Sequence, residues 1–193
     1  RMGDIFDLGL RHMKLIPAVA GRILRIGIPS GVTQAIMATA GMVVLNLTNA
    51  MGETVIACNV IVMRVDGFAM LPNMTFGQAM SVYTGQNVGA QKFDRVHKGV
   101  KQGGIIAASF STAITLVLLF LSPTLFGFFT ETPELIELAT RMIRLMAVGY
   151  ICISITQVLG GVMRGAGDTV TPMWVSIIST IIIRIPVAYL VAY

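Results

Sequence analysis

Asp66 stands inside an apolar stretch, with Asn59 seven residues before it and Asn73 seven residues after. Seven residues make close to two helical turns, so on a helix the three share one face, and Met63, Met70 and Gly77 fall on the same stripe. An acid flanked by amides can hold a cation or a proton, and thioethers adapt to ligands of many shapes, although core packing is the plainer use of methionine. Two roles fit Asp66: an exchanging acid, or one half of a structural ion pair. Arg64, two residues away, points to the opposite side of such a helix. Arg184 is the remaining candidate partner. Gln34 and Thr48 share a face with Gly41 by the same spacing, and could line a cavity or make helix-to-helix hydrogen bonds.

Other chemistries find no residues. There is no HExxH or GxSxG string, so neither a zinc hydrolase nor a serine nucleophile is expected. His12 and His97 lie in charged segments, and Cys58 and Cys152 lie in apolar ones without CxxC spacing, where packing accounts for them. No catalytic residue, metal or organic cofactor is expected.

The elements that must position Asp66 follow from composition. Of 193 residues, 55% are hydrophobic and 12% charged, with mean hydropathy +0.80; soluble domains carry about 25% charged residues. Apolar runs recur along the whole chain, which predicts an all-α, polytopic helix bundle in a bilayer. The net charge of +5 sits at the ends of these runs and is not interleaved with aromatics, so nucleic acid is not an expected partner.

Residues 3–27 mix apolar positions at helical spacing with Arg11, Lys14, Arg22 and Arg25, which predicts a surface helix over 1–27. Five spans follow over about 28–50, 54–84, 103–121, 145–163 and 172–193. Pro29 opens the first, and Arg64, Asp66, Pro72 and Asn73 interrupt the second. Gly85 and Gly89 read as breakers before a basic loop. Small residues recur every fourth position in the third span, as Gly103, Ala107 and Ser111 and as Gly104, Ala108 and Thr112, a spacing that lets helices approach closely. No signal peptide pattern precedes the first span, and the sequence starts at Arg1 and stops in an apolar run. A piece of a longer protein is expected.

Three segments hold ten of the fourteen Lys and Arg: Arg1, Arg11, Lys14, Arg22 and Arg25; Lys92, Arg95, Lys98 and Lys101; and Arg164. The turns around Glu53 and Glu131 hold none. The positive-inside rule puts the basic segments in the cytoplasm, and all five spans then alternate consistently.

Three strings in order, GIPSGVTQ (27–34), TGQNVGAQKFDRV (84–96) and MRGAGDTVTP (163–172), resemble the multidrug and toxic compound extrusion (MATE) family, specifically its second six-helix half. The resemblance covers nearly the whole chain. It implies a two-lobe fold of six plus six helices, of which this chain holds an interlobe segment at 1–27 and five helices of the C-terminal lobe at 28–193. The N-terminal lobe would be the missing partner. It further implies a multi-pass cell-membrane protein that exports amphipathic, commonly cationic, organic compounds by alternating access, in antiport with protons or sodium. On that reading Asp66, Asn59, Asn73, Gln34, Met63, Met70, Thr48 and Arg184 bind substrate or ion. Some branches of the family carry cation-binding acids in the first and fourth helices of this lobe. The corresponding spans here carry none, which leaves Asp66 or an acid in the other lobe. The alternative is a lipid-linked saccharide flippase of the related superfamily, which would show more basic residues towards its cavity than Arg64 and Arg184.

The threading is testable by labelling. In a background without Cys58 and Cys152, Glu53→Cys and Thr132→Cys should react with an impermeant thiol reagent from outside, while Gln91→Cys and Ala166→Cys should react only after permeabilisation. External labelling at position 91 would reverse the assignment.

Overall fold

A computed structural model describes residues 16–192. The chain forms four long helices, α1 (Pro17–Asn49), α2 (Glu53–Gly89), α3 (Phe93–Gly127) and α4 (Pro133–Gly165). A fifth rod is assembled from α5 (Val170–Ile177), a π-helical segment (Ile178–Arg184) and α6 (Ile185–Ala192). Among the described residues five helical runs are long and apolar enough to cross a membrane, and the bundle is all-α.

Helix starts are marked by residues suited to them. Proline occupies the first turn of α1 and α4, where its missing N–H costs no hydrogen bond. Acidic residues in the first turns of α2, α3 and α4, namely Glu53, Asp94 and Glu134, face the positive end of the helix dipole.

The stops of α2 and α4 share one device. After α4, Gly167 adopts φ +89°; its N–H bonds to the Arg164 carbonyl at 3.0 Å, and the Asp168 N–H bonds to the Met163 carbonyl at 2.9 Å. That is a Schellman closure, in which glycine tolerates the left-handed turn. After α2, Gln91 at φ 58° takes the same place, with its N–H on Val88 and that of Lys92 on Asn87.

The helices overrun the expected spans. The boundary drawn between residues 27 and 28 falls inside α1, which continues through Gly27 and Pro29; the part of the expected surface helix over 1–15 lies outside the described residues. Gly85 and Gly89 are helical, not breakers, and the basic segment from Phe93 opens α3. Residues 133–144, ahead of the expected fourth span, are the first third of α4. Hydropathy marks only the portion immersed in hydrocarbon, about 30 Å, whereas a 37-residue α2 runs to about 55 Å.

Helices α2, α3 and α4 form a tight three-helix core; α1 pairs mainly with α5 and α6 as a second layer. The core cluster joins Cys58, Val62, Val65 and Ala69 of α2 to Leu118 and Phe126 of α3 and Ala139, Ile143, Ala147 and Tyr150 of α4. Cys58 is buried against Met142, while Cys152 is exposed. Outward faces are frankly apolar: Phe68, Phe120 and Leu145 are 72%, 74% and 78% exposed, as a lipid-facing surface requires.

Glycines bring α2 and α4 together. A Cβ on Gly161 would overlap the Gly77 carbonyl oxygen, and one on Gly165 would overlap that of Ser81. A Cβ on Gly77 would in turn sit 2.9 Å from the Gln157 carbonyl oxygen. Gly77, Ser81 and Gly85 thus meet Gly161 and Gly165, each row spaced by four, the small-residue pattern that lets membrane helices touch backbone to backbone.

Replacing Gly161 by Val should therefore cost about 1–3 kcal/mol through overpacking, visible as a lower apparent Tm of the purified full-length protein. Gly104→Ala, where a Cβ meets nothing within 4 Å, should leave Tm unchanged or raise it.

Candidate functional site

The site is built around Asp66, half-buried in the middle of α2. The Tyr150 hydroxyl, on α4, donates a hydrogen bond to Asp66 Oδ1 at 2.5 Å. Tyr150 is 1% exposed, with its ring in the core cluster, so packing fixes where its hydroxyl points. The two residues stand 84 apart in sequence, as do Cys58 and Met142, whose sulfurs lie 3.5 Å apart. Gly77 and Gly161 keep that offset. Helices α2 and α4 therefore run parallel in one register, and the glycine contact places Tyr150 beside Asp66.

The expected site residues divide. Asn73 is buried at 1% exposure; its amide nitrogen donates to the Ala69 carbonyl at 3.4 Å, and its Oδ1 has no protein partner. Asn59 is half-buried on the same side of α2 as Asp66, and Met70 packs against the core cluster. Met63 is 58% exposed. On α1, Gln34 is exposed, and the Thr48 hydroxyl returns to the Val44 carbonyl of its own helix at 2.9 Å. Arg184 ends the π-helical segment with its side chain exposed, and Arg64 is exposed on α2. Asp66 thus takes a tyrosine hydroxyl as its partner where the sequence had offered Arg184.

Tyr150 was missed in the sequence, although a tyrosine within an apolar span is a usable signal, since its hydroxyl needs a partner when buried. Also missed was a set of buried hydroxyls. Thr115 reaches across from α3 to the Ala147 carbonyl of α4 at 3.0 Å. The hydroxyls of Ser111 and Ser154 are buried without a protein partner. Open surface hollows lined by Glu137, Thr140, Arg141 and Arg144 lie nearer the start of α4 and do not include Asp66. Among the described residues no three His, Cys, Asp or Glu side chains converge as a metal would need.

At the end of α4 the RGAGDT string is structural. The Asp168 carboxylate accepts the N–H groups of Thr171 at 3.0 Å and Val170 at 3.1 Å. Hydrogen bonds from the side chain and N–H of Thr171, then from the Val170 N–H, hold this exposed carboxyl below its usual range. It caps α5.

A family model named MatE matches residues 29–190. The chain belongs to the MatE family. The probable multidrug resistance protein YoeA of Bacillus subtilis (strain 168) is 21% identical over 183 residues, 95% of this chain and 40% of that protein. The probable multidrug resistance protein NorM of Thermotoga maritima is 24% identical over 167 residues, 86% of this chain and 36% of that protein. A solved structure described as MATE in complex with MaD3S superposes with a TM-score of 0.79 at 19% identity, over 82% of this chain and 36% of that one. This MatE chain therefore spans well under half the length of the curated relatives it matches. MatE proteins are transporters and not enzymes, and the chain is a multi-pass membrane protein of that fold.

If the glycine register exists to seat Tyr150 on Asp66, Tyr150→Phe should destabilise the full-length protein by about 0.5–3 kcal/mol, the range that covers hydrogen bonds to neutral and to charged groups. In an Asp66→Leu background the same change should cost much less. Equal losses in both backgrounds, measured by thermal unfolding, would show that the contact contributes nothing.

Proposed function

We propose that this chain is part of the C-terminal lobe of a secondary multidrug efflux transporter, and that Asp66 is the group at which cation exchange and substrate release meet. The observation that carries the reading is the half-buried acid fastened to Tyr150 in the middle of a MatE bundle. Acids at that depth are expensive and are commonly kept for transport. The multidrug resistance names of YoeA and NorM support the substrate class. The N-terminal lobe of the same polypeptide would supply the other wall of the cavity, and the loops near 91 and 166 would face the cytoplasm.

The chemistry is a competition for one carboxylate. Ionised, Asp66 accepts the Tyr150 hydroxyl on one oxygen and offers the other to a cationic compound. A proton or sodium ion arriving from outside removes that negative charge, and the compound leaves. Loss of the ion inside restores the site, with Tyr150 holding the carboxylate in place between the two states. Asn59 and Met70 flank Asp66 and would shape the contact without charge. The exposed Arg64 and Arg184 offer a flippase no basic cluster, which favours export of organic cations.

Asp66→Asn keeps the shape and an acceptor for Tyr150 while freezing the neutral state. Ethidium efflux from cells expressing the full-length variant should fall to background with surface expression retained, and Asn59→Ala and Asn73→Ala should give partial losses. Wild-type efflux by Asp66→Asn, with unaltered pH and sodium dependence, would move the coupling site to the other lobe.

A further inference from the structure

Many hydroxyls in these helices follow one pattern, and several buried ones depart from it. Thr33, Thr39, Thr48, Thr75, Thr112 and Thr156, none of them buried, each donate to the carbonyl four residues back, at 2.8–3.0 Å. That local bond is the ordinary solution for a hydroxyl on a helix in lipid. Ser111 and Ser154, both 0% exposed, do not take it, and their oxygens have no protein partner. The Oδ1 of Asn73 is equally buried and equally free.

These three atoms come from three helices and fall at one level. The parallel α2–α4 register that joins Asp66 to Tyr150 puts Asn73 opposite Gln157, within one turn of Ser154. The antiparallel α2–α3 register, fixed by the Phe76–Phe110 ring contact and by Tyr83 against Gly99, puts Asn73 beside Ser111. The Thr115–Ala147 bond sets α3 against α4 and brings Ser111 within one turn of Ser154. Of the three other orphaned hydroxyls, Ser122 and Thr140 stand opposite one another in that same α3–α4 register and can satisfy each other by rotation, while Thr84 lies eleven residues beyond Asn73 on α2, against Gly165. The central set is different because it ties three helices and includes a pure acceptor.

We infer that Asn73, Ser111 and Ser154 together hold internal water in the α2–α3–α4 core, and that this water extends the hydrogen-bonded path from Asp66 and Tyr150 towards the Gly89 end of α2. Each buried oxygen left unpaired costs about 1–3 kcal/mol, and one water offers two donors and two acceptors to groups arranged around it. A metal ion fits less well, because all three ligands are neutral. The nearest acid on α2, Asp66, lies about 10 Å along the axis and is already bonded to Tyr150. Tyr150 and Ser154 stand one turn apart on α4, so the water lies next in line after the Tyr150 hydroxyl. The path to Asp66 rests on the reading of that residue as the exchanging group; the water site itself does not.

The test is a double-substitution cycle in the full-length transporter. Ser111→Ala and Ser154→Ala should each lower the apparent Tm by about a degree or two, and the pair should lower it no further than the larger single effect, because either loss frees the same water. Tm values that stay level or rise, as when dry orphaned hydroxyls are removed, would overturn the site, and so would additive losses. An experimental structure resolving ordered solvent gives a direct reading: density within hydrogen-bond reach of all three oxygens supports the site, and direct bonds among the side chains with no density overturn it. For the path, the double variant should slow ethidium efflux several-fold with ethidium binding retained, and unaltered efflux would overturn that half. Wild-type transport by Asp66→Asn would remove the exchanging role of Asp66 while leaving the stability cycle to decide the water site.

Discussion

The contact of α2 with α4 through Gly77, Ser81, Gly85, Gly161 and Gly165 governs the rest of the structure. In a bilayer, lipid tails are as apolar as leucine, so burying apolar side chains gives little drive for two helices to associate. What remains is close packing and hydrogen bonding, and both improve as backbones approach. With no side chain between them at Gly77 and Gly161, the two helices lock in a register that cannot slide without driving a Cβ or a bulkier group into a carbonyl. The separation of 84 residues that links Cys58 to Met142 and Asp66 to Tyr150 is a consequence of that lock.

From the register follows a division of labour between the layers. The α2–α3–α4 core carries most of the buried residues and most of the interhelical polar contacts, including Thr115 to Ala147 and Tyr150 to Asp66. The layer of α1, α5 and α6 buries little: Ala40 in α1 and Thr180 in the π-helical segment, with the Thr180 hydroxyl 3.6 Å from Met37 Sδ as a cross-layer contact. A π-helical run that ends in Arg184 and leads into Pro186 disturbs the regular ladder of hydrogen bonds. Rigidity is concentrated where Asp66 sits.

Much of this was legible in the sequence, and what was not has physical causes. Five apolar runs and the shared face of Asn59, Asp66 and Asn73 follow from composition and a period of 3.6. Helix ends were misplaced because helices continue past the hydrocarbon, so that Gly85 and Gly89 looked like breakers although Gly85 is a packing residue facing the Gly165 carbonyl at 3.4 Å. The small-residue row Gly103, Ala107 and Ser111 was visible, and Ala107 and Ser111 are indeed buried. Its counterparts on α2 and α4 have the same four-residue spacing, but the expected span limits cut each row: Gly77, Ser81 and Gly161 fall inside the spans of 54–84 and 145–163, while Gly85 and Gly165 fall just beyond them. Arg184 stands out as a partner for Asp66 and Tyr150 does not, because charge is easy to see in a string of letters, whereas register between helices is not. Only the tertiary contact decides which of two polar groups a carboxylate meets.

The strings that carry the family likeness turn out to be chiefly structural. TGQNVGAQKFDRV holds the close-approach residues Thr84 and Gly85, the left-handed stop at Gln91 and the start of α3. MRGAGDTVTP holds Gly165, the left-handed stop at Gly167 and the Asp168 cap of α5. Each string ends one helix, turns within a few residues and starts the next, at the places where backbone conformation leaves few residue types acceptable. A likeness built on such strings reports the fold faithfully and the cargo hardly at all. Cargo and coupling must instead be argued from residues outside them, where the same fold tolerates many side chains. Asp66 and Tyr150 lie outside those strings, held in contact by a register that the structural strings help to set, so the strings secure the geometry of a contact whose chemistry they do not themselves supply.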